Sequence, residues 1–439
     1  RGKETTMREA LDRGARQLEQ QLGGQPEIRA TLLETVGDVY LNLGDYAQSL
    51  EAFTTTLQLR RQVLGDDHPA VARDRYNLGA VKHHLGEFRE AADYYEAALA
   101  RQRALYPEGH GELADTLAYY GLLMIELGRY DDAEQMQLEA LAMRRTLGGK
   151  NADAVAVSLN DLGITYRRMN RYAQAEDYYR QALSAWRSRH GARDTRVAMV
   201  LNNLGVLLHV SGRFEEAAPA FEEALALRRE LLGPGHYYTG ITINNLAGVY
   251  VEDGSFDRAE TLYRQAVAIY SEATGADSPQ TQSARSNVAR AVFEQGDFAQ
   301  AEQLLLDVLE VRRASLDAGD PQIANALLWL ARTRAEQVSR DGRGDGAAEE
   351  RLRIAQDNIR EAQAIYENAL EPGHWRLALA GTVLGRVLTL QQRYDEAVAL
   401  LEASLPVLEE KRGERAQITL RAQADLADLY LRSGRTPEP

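Results

Sequence analysis

The chain has 439 residues, of which 65 are Asp or Glu and 51 are Lys or Arg, so its formal net charge is −14. This acidic balance argues against a nucleic-acid partner, whose binding surface needs clustered positive charge. The absence of cysteine excludes disulfides and thiol catalysis, and no apolar run approaches the ~20 residues needed to span a bilayer.

A short helix is predicted before residue 28. Thr6 and Glu9 fit the capping box S/T-x-x-E, which opens a helix, and Met7, Leu11 and Leu18 give that helix one apolar side. We expect residues 1–27 to form an N-terminal capping helix that covers the open face of the element after it. Because the chain begins at Arg1 rather than Met, we also expect a fragment of a longer protein.

From residue 28 onward the sequence repeats with a period of 42 residues. Each repeat has one small residue at the same place, which we call its anchor. The anchors are Gly37, Gly79, Gly121, Gly163, Gly205, Ala247, Ala289 and Ala331, and after one break Gly385 and Ala427. A fixed period of this size is typical of a solenoid, in which each unit buries its apolar face against its neighbours.

One repeat contains two amphipathic helices. In residues 200–236, Leu201, Leu204 and Leu208 recur at helical spacing and predict the first helix. Gly212 ends that helix, since glycine accepts the left-handed backbone common at a helix C-terminus. Apolar residues from Ala217 to Leu227 then form the stripe of a second helix. Each repeat is therefore predicted to be a helix–turn–helix unit.

The pattern L-G-x-x-Y…G-x-[YF]-x-x-A…[YF]-x-x-A resembles the tetratricopeptide repeat (TPR). The connector L-G-x-x-H-P at 64–69 and the sequence Asn-Asn-Leu-Gly at 202–205 resemble the kinesin-light-chain type of this repeat. The resemblance covers residues 28–434. It implies an all-α fold, a right-handed α-solenoid (superhelix) of helix–turn–helix units, and a function in binding proteins or peptides without a cofactor.

The repeats divide the chain into four parts. We expect residues 1–27 to be the cap and 28–336 to carry repeats 1–7 and the first part of repeat 8. Twelve extra residues in repeat 8 predict an inserted Gly-rich loop at 337–348. Its Arg343-Gly344-Asp345 spells an adhesion tripeptide, which is short enough to arise by chance. Residues 349–439 hold the end of repeat 8, repeat 9 and the first helix of a tenth. This last helix has no partner helix, so its open apolar face is expected to self-associate, to be shielded by the tail, or to reflect truncation.

No pattern in the sequence predicts an active site. The chain has no phosphate-binding loop, no H-E-x-x-H and no G-x-S-x-G, and no residue cluster supports an enzyme in the groove or in the loop at 339–346. Four histidines fall in connectors between repeats, where capping a helix is a more ordinary role than binding a metal. These histidines are His68, His110, His236 and His374.

Asparagines recur on the first helices, which line the concave groove in the TPR family. Asn77, Asn203, Asn245 and Asn287 stand two residues before an anchor, and Asn160, Asn202 and Asn244 stand three before. A carboxamide both donates and accepts hydrogen bonds. The resemblance implies that the asparagines at 203, 245 and 287 clamp the backbone of an extended peptide. The alternative is that they bond to neighbouring helices or to water.

Arginines follow the anchor in three successive repeats, at Arg290, Arg332 and Arg386. A basic stripe inside the groove of an acidic chain would favour an acidic peptide or a carboxylate terminus. The alternative is intramolecular pairing with the glutamates of second helices.

The N-terminal stretch resembles the segment that follows the kinase and membrane-spanning parts of bacterial serine/threonine protein kinases with C-terminal repeats. Residues 11–15 (Leu-Asp-Arg-Gly-Ala) and 25–27 (Gln-Pro-Glu) carry this likeness. It implies a regulatory or sensor arm, which would be periplasmic, and the chain itself, lacking kinase motifs, would not be an enzyme. The alternatives are a free-standing cytoplasmic TPR scaffold and the sensor domain of a signalling ATPase.

Overall fold

The computed structural model describes residues 24–148, 152–342 and 346–435. Within these ranges all regular secondary structure is helical, and the predicted all-α class of helix–turn–helix repeats is confirmed. The chain forms two compact units, unit 1 (residues 1–191) and unit 2 (residues 192–439). Among the helices described, none combines the length and the apolar character that a membrane crossing requires.

The described residues of unit 1 form four helix pairs, one for each of repeats 1–4. The helices are α1 (Pro26–Asn42), α2 (Tyr46–Leu64), α3 (Pro69–His84), α4 (Phe88–Leu105), α5 (Gly111–Glu126), α6 (Tyr130–Leu147), α7 (Ala152–Arg168) and α8 (Tyr172–His190). Odd-numbered helices are the first helices of their repeats, and even-numbered helices are the second. The predicted cap falls almost wholly on residues 1–23, which lie outside the described residues, whereas Pro26 and Glu27 already belong to α1.

In unit 2, the part of the chain that the structure describes forms five helix pairs and one further first helix. These helices are α9 (Thr195–Val210), α10 (Phe214–Leu231), α11 (Tyr237–Glu252), α12 (Phe256–Thr274), α13 (Pro279–Glu294), α14 (Phe298–Ser315), α15 (Pro321–Asp341), α16 (Gly346–Ala369), α17 (Trp375–Leu390), α18 (Tyr394–Arg412) and α19 (Gln417–Ser433). Odd-numbered helices are again first helices, and α19 begins repeat 10.

The four connector histidines each cap the first helix that follows them. Their Nδ1 atoms accept hydrogen bonds from the backbone N–H groups two residues later, at distances of 3.1–3.3 Å. This satisfies one of the N–H groups that a helix start leaves without a partner. Capping is therefore confirmed for these histidines, and no three His, Asp or Glu side chains of the described ranges are grouped as metal ligands.

The glycine anchors let the two helices of a repeat approach closely. At Gly163, a Cβ atom would lie 2.5 Å from the ring of Tyr179 on α8, and Tyr179 is fully buried. Gly205 has the same relation to Phe221, whose ring carbons would lie 2.8 Å away. The anchor and the aromatic residue sixteen positions later therefore form one packing unit.

Replacing Gly163 with Ala should lower the free energy of unfolding by about 1–3 kcal/mol, because the tyrosine ring must leave its packed position. The matched control is Gly248→Ala on α11, where the nearest atom to a Cβ would be 3.6 Å away, an ordinary contact. Alanine favours helix over glycine, so the control should leave stability unchanged or raise it by up to about 1 kcal/mol. Urea denaturation of both variants measures the difference, and equal effects would contradict the packing argument.

The twelve extra residues of repeat 8 lengthen its two helices. Helix α15 has 21 residues and α16 has 24, whereas α9 and α10 of repeat 5 have 16 and 18. The structure differs here from the predicted loop at 337–348, because Val338 and Ala348 are buried and continue the apolar stripes of their helices. The tripeptide at 343–345 lies outside the described residues.

Helix α19 is the last helix of the described residues, and no second helix of its own repeat follows it there. Its anchor, Ala427, is exposed, and Leu431 is 83% exposed. In every complete repeat the second helix covers the anchor. An uncovered face on this helix agrees with the sequence pattern.

Candidate functional site

The asparagines of unit 2 form a diagonal ladder across three first helices. Asn245 on α11 donates from Nδ2 to Oδ1 of Asn202 on α9, at 3.2 Å. Asn287 on α13 donates in the same way to Asn244 on α11, at 3.0 Å. We call these four residues the asparagine ladder. The donor in each bond, Asn245 or Asn287, stands two positions before the anchor of its own repeat. The acceptor, Asn202 or Asn244, stands three positions before the anchor of the preceding repeat.

The ladder bonds use only part of each carboxamide. An amide group offers two N–H donors and an oxygen with two lone pairs. Within the described residues, Oδ1 of Asn245 and Oδ1 of Asn287 accept no hydrogen bond. Both side chains are only partly buried, as is Asn203, which also takes part in an interaction. The alternative role predicted from sequence, bonding between neighbouring helices, is therefore present, and it leaves polar atoms for a ligand.

The two asparagines of unit 1 do not continue this pattern. Asn160 is 4% exposed and donates at 3.3 Å to the carboxylate of the next residue, Asp161. Asn77 is half-buried, and its side chain makes no hydrogen bond to any described residue. In repeats 3 and 4 the position two before the anchor is held by Tyr119 and Asp161. At the position two residues before the anchor, unit 1 therefore presents different polar side chains from one repeat to the next.

Asp161 is a buried carboxylate without an ion pair among the described residues. Its side chain lies on α7 and the residue is 8% exposed. Burial raises the pKa of Asp161 to about 6, although the hydrogen bond from Asn160 and the charge of Arg144 oppose the rise. Arg144 is instead engaged by Asp115, at 2.5 Å, and by Ser158.

The arginine stripe of unit 2 is already paired within the unit. Arg332 binds both carboxylate oxygens of Asp425 and lies 3.1 Å from Glu336. Arg386 contacts Glu336 at 3.2 Å and also binds Asp428. Intramolecular pairing, the alternative predicted from sequence, therefore holds for both arginines, but their acidic partners lie on the first helices α15 and α19 instead of on second helices.

Arg290 is the more accessible member of the stripe. Its guanidinium lies 3.3 Å from Glu252 of α11, and its side chain is 24% exposed. It also lies 5.6 Å from the ring centroid of Trp329, which is within range of a cation–π contact. Its acidic partner, like those of the other two arginines, belongs to a first helix.

Helix α19 packs against several first helices of unit 2. Its N-terminal Gln417 donates from the backbone to Glu252 of α11 at 2.9 Å, and Arg421 binds Glu294 of α13. One and two turns later, Asp425 and Asp428 bind the arginines of α15 and α17. One helix thus touches the first helices of four other repeats.

The carboxylates determine the charge state of this network. Burial alone would lower the pKa of Arg332, but Asp425 and Glu336 more than offset this and raise it. Burial alone would raise the pKa of Glu336, but Arg332 and Arg386 lower it. Arg332 and Glu336 are therefore held in their charged forms, whereas burial raises the pKa of Asp425 although Arg332 and Arg386 oppose the rise.

A second set of arginines, not predicted from the sequence pattern of a single repeat, lies on the second helices. Arg60, Arg144, Arg228 and Arg312 are spaced 84 residues apart, one in every second repeat. All four are no more than 5% exposed. A search at twice the repeat period would have found them.

The sequence model of a family described as tetratricopeptide repeat matches residues 28–104, 112–188, 196–272 and 375–438. Two further models with the same description match residues 160–230 and 281–322. These matches confirm the resemblance predicted from the repeat pattern. No curated protein matches the sequence.

Solved structures that are similar to this chain include the following three, of which the first two share its fold. The quorum sensor NprR from B. thuringiensis has a TM-score of 0.56 at 14% identity, covering 84% of this chain and 99% of NprR. The STAND protein PH0952 from Pyrococcus horikoshii, with a tetratricopeptide repeat sensor, has a TM-score of 0.55 at 12% identity, covering 87% of this chain and 55% of that protein. A putative kinesin light chain from Podosopora anserina has a TM-score of 0.42 at 19% identity, covering 51% of this chain and 99% of that chain.

Proposed function

Because this chain belongs to the tetratricopeptide repeat family, we propose that it is a non-catalytic scaffold that clamps an extended peptide in its concave groove. The observation that carries the proposal is the asparagine ladder on α9, α11 and α13. Amides repeated on successive helices match the repeated N–H and C=O groups of an extended backbone. Such contacts bind a peptide largely independently of its side chains.

The ladder prepares these amides for binding. Each hydrogen bond between neighbouring asparagines fixes the orientation of two side chains. A ligand then loses less affinity to the ordering of side chains than it would with freely rotating amides. The bonds between asparagines thus support a binding role as well as a structural one.

The larger protein is proposed to be a bacterial serine/threonine protein kinase, with this chain as its regulatory or sensor arm. The alternatives are a free-standing cytoplasmic scaffold and the sensor domain of a signalling ATPase. PH0952, which has a tetratricopeptide repeat sensor, is an example of the last arrangement. Sequencing the native gene on the 5′ side of the codon for Arg1 tests these proposals, because a kinase domain followed by an apolar span would support the first.

Replacing both Asn203 and Asn245 with Ala should abolish peptide binding. The loss of the hydrogen bond from Asn245 to Asn202 and of the interaction of Asn203 should cost only about 1–2 kcal/mol of stability. The probe is a phage-displayed library of random heptapeptides selected on the immobilised chain, and Asn368→Ala on the exposed surface of α16 is the matched control. A large fall in melting temperature in the double variant would show that the asparagines are structural, and the clamp would be rejected.

Self-association through the open face of α19 is also proposed. The exposed Ala427 and Leu431 are the residues that a second copy would cover. Analytical ultracentrifugation of the chain and of a Leu431→Glu variant tests this. A concentration-dependent dimer that the charge disrupts would support it, and a monomer at all concentrations would reject it.

A further inference from the structure

In unit 1, buried arginines of the second helices meet carboxylates of the first helices. Nη2 of Arg60 donates to Glu34 on α1 at 2.6 Å. Nη2 of Arg144 donates to Asp115 on α5 at 2.5 Å. In both cases Nη1 points to the following first helix, where it donates to Asp74 or to Ser158. In repeats 1 and 3, Nη2 of the arginine is therefore paired with a carboxylate on the first helix of the same repeat.

In unit 2, the equivalent arginines lack that acid. Nη1 of Arg228 donates to the carbonyl of Tyr238 at 2.7 Å and to the hydroxyl of Thr242 at 2.5 Å. Nη1 of Arg312 donates to the carbonyl of Gln322 at 2.8 Å. Among the residues that the structure describes, neither guanidinium has an ion pair, and neither Nη2 has a hydrogen-bond partner.

The first helices explain the difference, because the acids are replaced by neutral residues. The positions equivalent to Asp115 are Met199 on α9 and Ser283 on α13. The positions equivalent to Glu34 are Asn202 on α9 and Ser286 on α13. The geometry of Nη1 is retained, whereas the counter-ion of Nη2 is missing.

A buried cation without a counter-ion is costly. Burial lowers the pKa of Arg228 to about 10 and also lowers the pKa of Arg312. The pKa of Arg60 shows the contrast: burial again opposes the charge, but Glu34 and Asp74 raise the pKa above its usual value. The binding of an external carboxylate should therefore be more favourable in free energy at Arg228 and Arg312 than at an exposed arginine.

We propose that Arg228 and Arg312 bind carboxylates of the ligand, so that the clamped peptide is acidic. An Asp or Glu side chain of the peptide takes the place that Asp115 takes beside Arg144. Asn202 of the asparagine ladder, on α9, holds the position equivalent to Glu34, and Arg228 lies on α10 of the same repeat. This inference rests on the proposed peptide clamp and names its ligand class.

The decisive variant gives Arg228 an internal carboxylate. Met199→Asp places an acid at the position that Asp115 holds in repeat 3. The new carboxylate should accept a hydrogen bond from Nη2 of Arg228 and raise the melting temperature. Heptapeptides selected on the wild-type chain should be enriched in Asp or Glu at the position that binds beside Arg228, independently of any acidic position beside Arg312. Selection on Met199→Asp should lose that enrichment, and the best wild-type peptide should bind it at least about tenfold more weakly. Met199→Asn, which adds no charge, is the control and should keep the preference.

A second pair of variants removes the cation. Arg228→Met should lose the acidic preference, whereas Arg229→Met, which changes the net charge equally at an exposed neighbour, should retain it. Peptides that require Asn203 and Asn245 but show no acidic preference would overturn this inference and leave the clamp standing. Acidic peptides that bind Met199→Asp and Arg228→Met as tightly as wild type would also overturn it. Selection of no peptide at all would reject the clamp, and the inference with it.

Discussion

Replacing Asp161 with Asn is expected to raise the free energy of unfolding at pH 7.5 by up to about 3 kcal/mol. The carboxylate is buried on α7 without an ion pair among the described residues, and its pKa is raised to about 6 from an ordinary value of 3.8. A rise of about two pKa units corresponds to about 3 kcal/mol. Asparagine fits the site, since it stands at the equivalent position in Asn203, Asn245 and Asn287.

The effect of this substitution should depend on pH, with a definite sign. Because the folded-state pKa is raised, ionisation of Asp161 destabilises the folded chain as pH rises from about 4 to about 6. Wild type and variant should therefore be similar in stability at pH 4 and should diverge up to pH 7.5. Urea denaturation followed by circular dichroism at the two pH values measures this. The exposed Asp93→Asn is the control, and a difference that does not change with pH would contradict the assignment.

Replacing Asp425 with Asn is expected to destabilise unit 2 by about 3–5 kcal/mol. The carboxylate is 4% exposed and binds Arg332 on α15. Removing one partner of a buried ion pair costs far more than losing a surface pair, and here Arg332 would be left with Glu336 alone, which Arg386 also contacts. Thermal denaturation measures the loss. Arg353→Met, which breaks an exposed pair with Glu350, should leave the melting temperature unchanged.

A double variant tests whether an unpaired buried charge is the cause of this loss of stability. Arg332→Met combined with Asp425→Leu replaces two buried charges by apolar groups, so it should recover much of the stability that Asp425→Asn loses. If Asp425→Asn is as stable as wild type, the network around α19 does not hold the helix in place.

The repeat pattern predicted the fold because residues that recur with the period make the same contacts between neighbouring helices in each repeat. The 42-residue spacing of Gly163 and Gly205 requires the same packing against Tyr179 and Phe221 in each repeat. The capping histidines were placed correctly for the same reason, since a connector and the helix after it are adjacent in sequence. Local geometry of this kind can be deduced from one repeat and carried to the others.

Contacts between distant repeats could not be predicted in this way. Arg332 and Asp425 are 93 residues apart, and no periodicity in the sequence connects α15 with α19. The stripe of Arg290, Arg332 and Arg386 therefore looked available for a ligand, although the structure pairs each member with an acid of a first helix. The arginines on the second helices were overlooked for another reason: their spacing is twice the period, so inspection of a single repeat does not show them.

The contacts of α19 have a consequence for how the array comes apart. In a simple repeat array each unit interacts only with the next, so the chain can unravel from its end one repeat at a time. Here the last helix is tied to Glu252 in repeat 6, Glu294 in repeat 7 and Arg332 in repeat 8. Detaching α19 therefore breaks bonds in the middle of unit 2, which couples repeats 6–10 into one cooperative block. The amide hydrogens of α19 should exchange as slowly as those of α11 and α13.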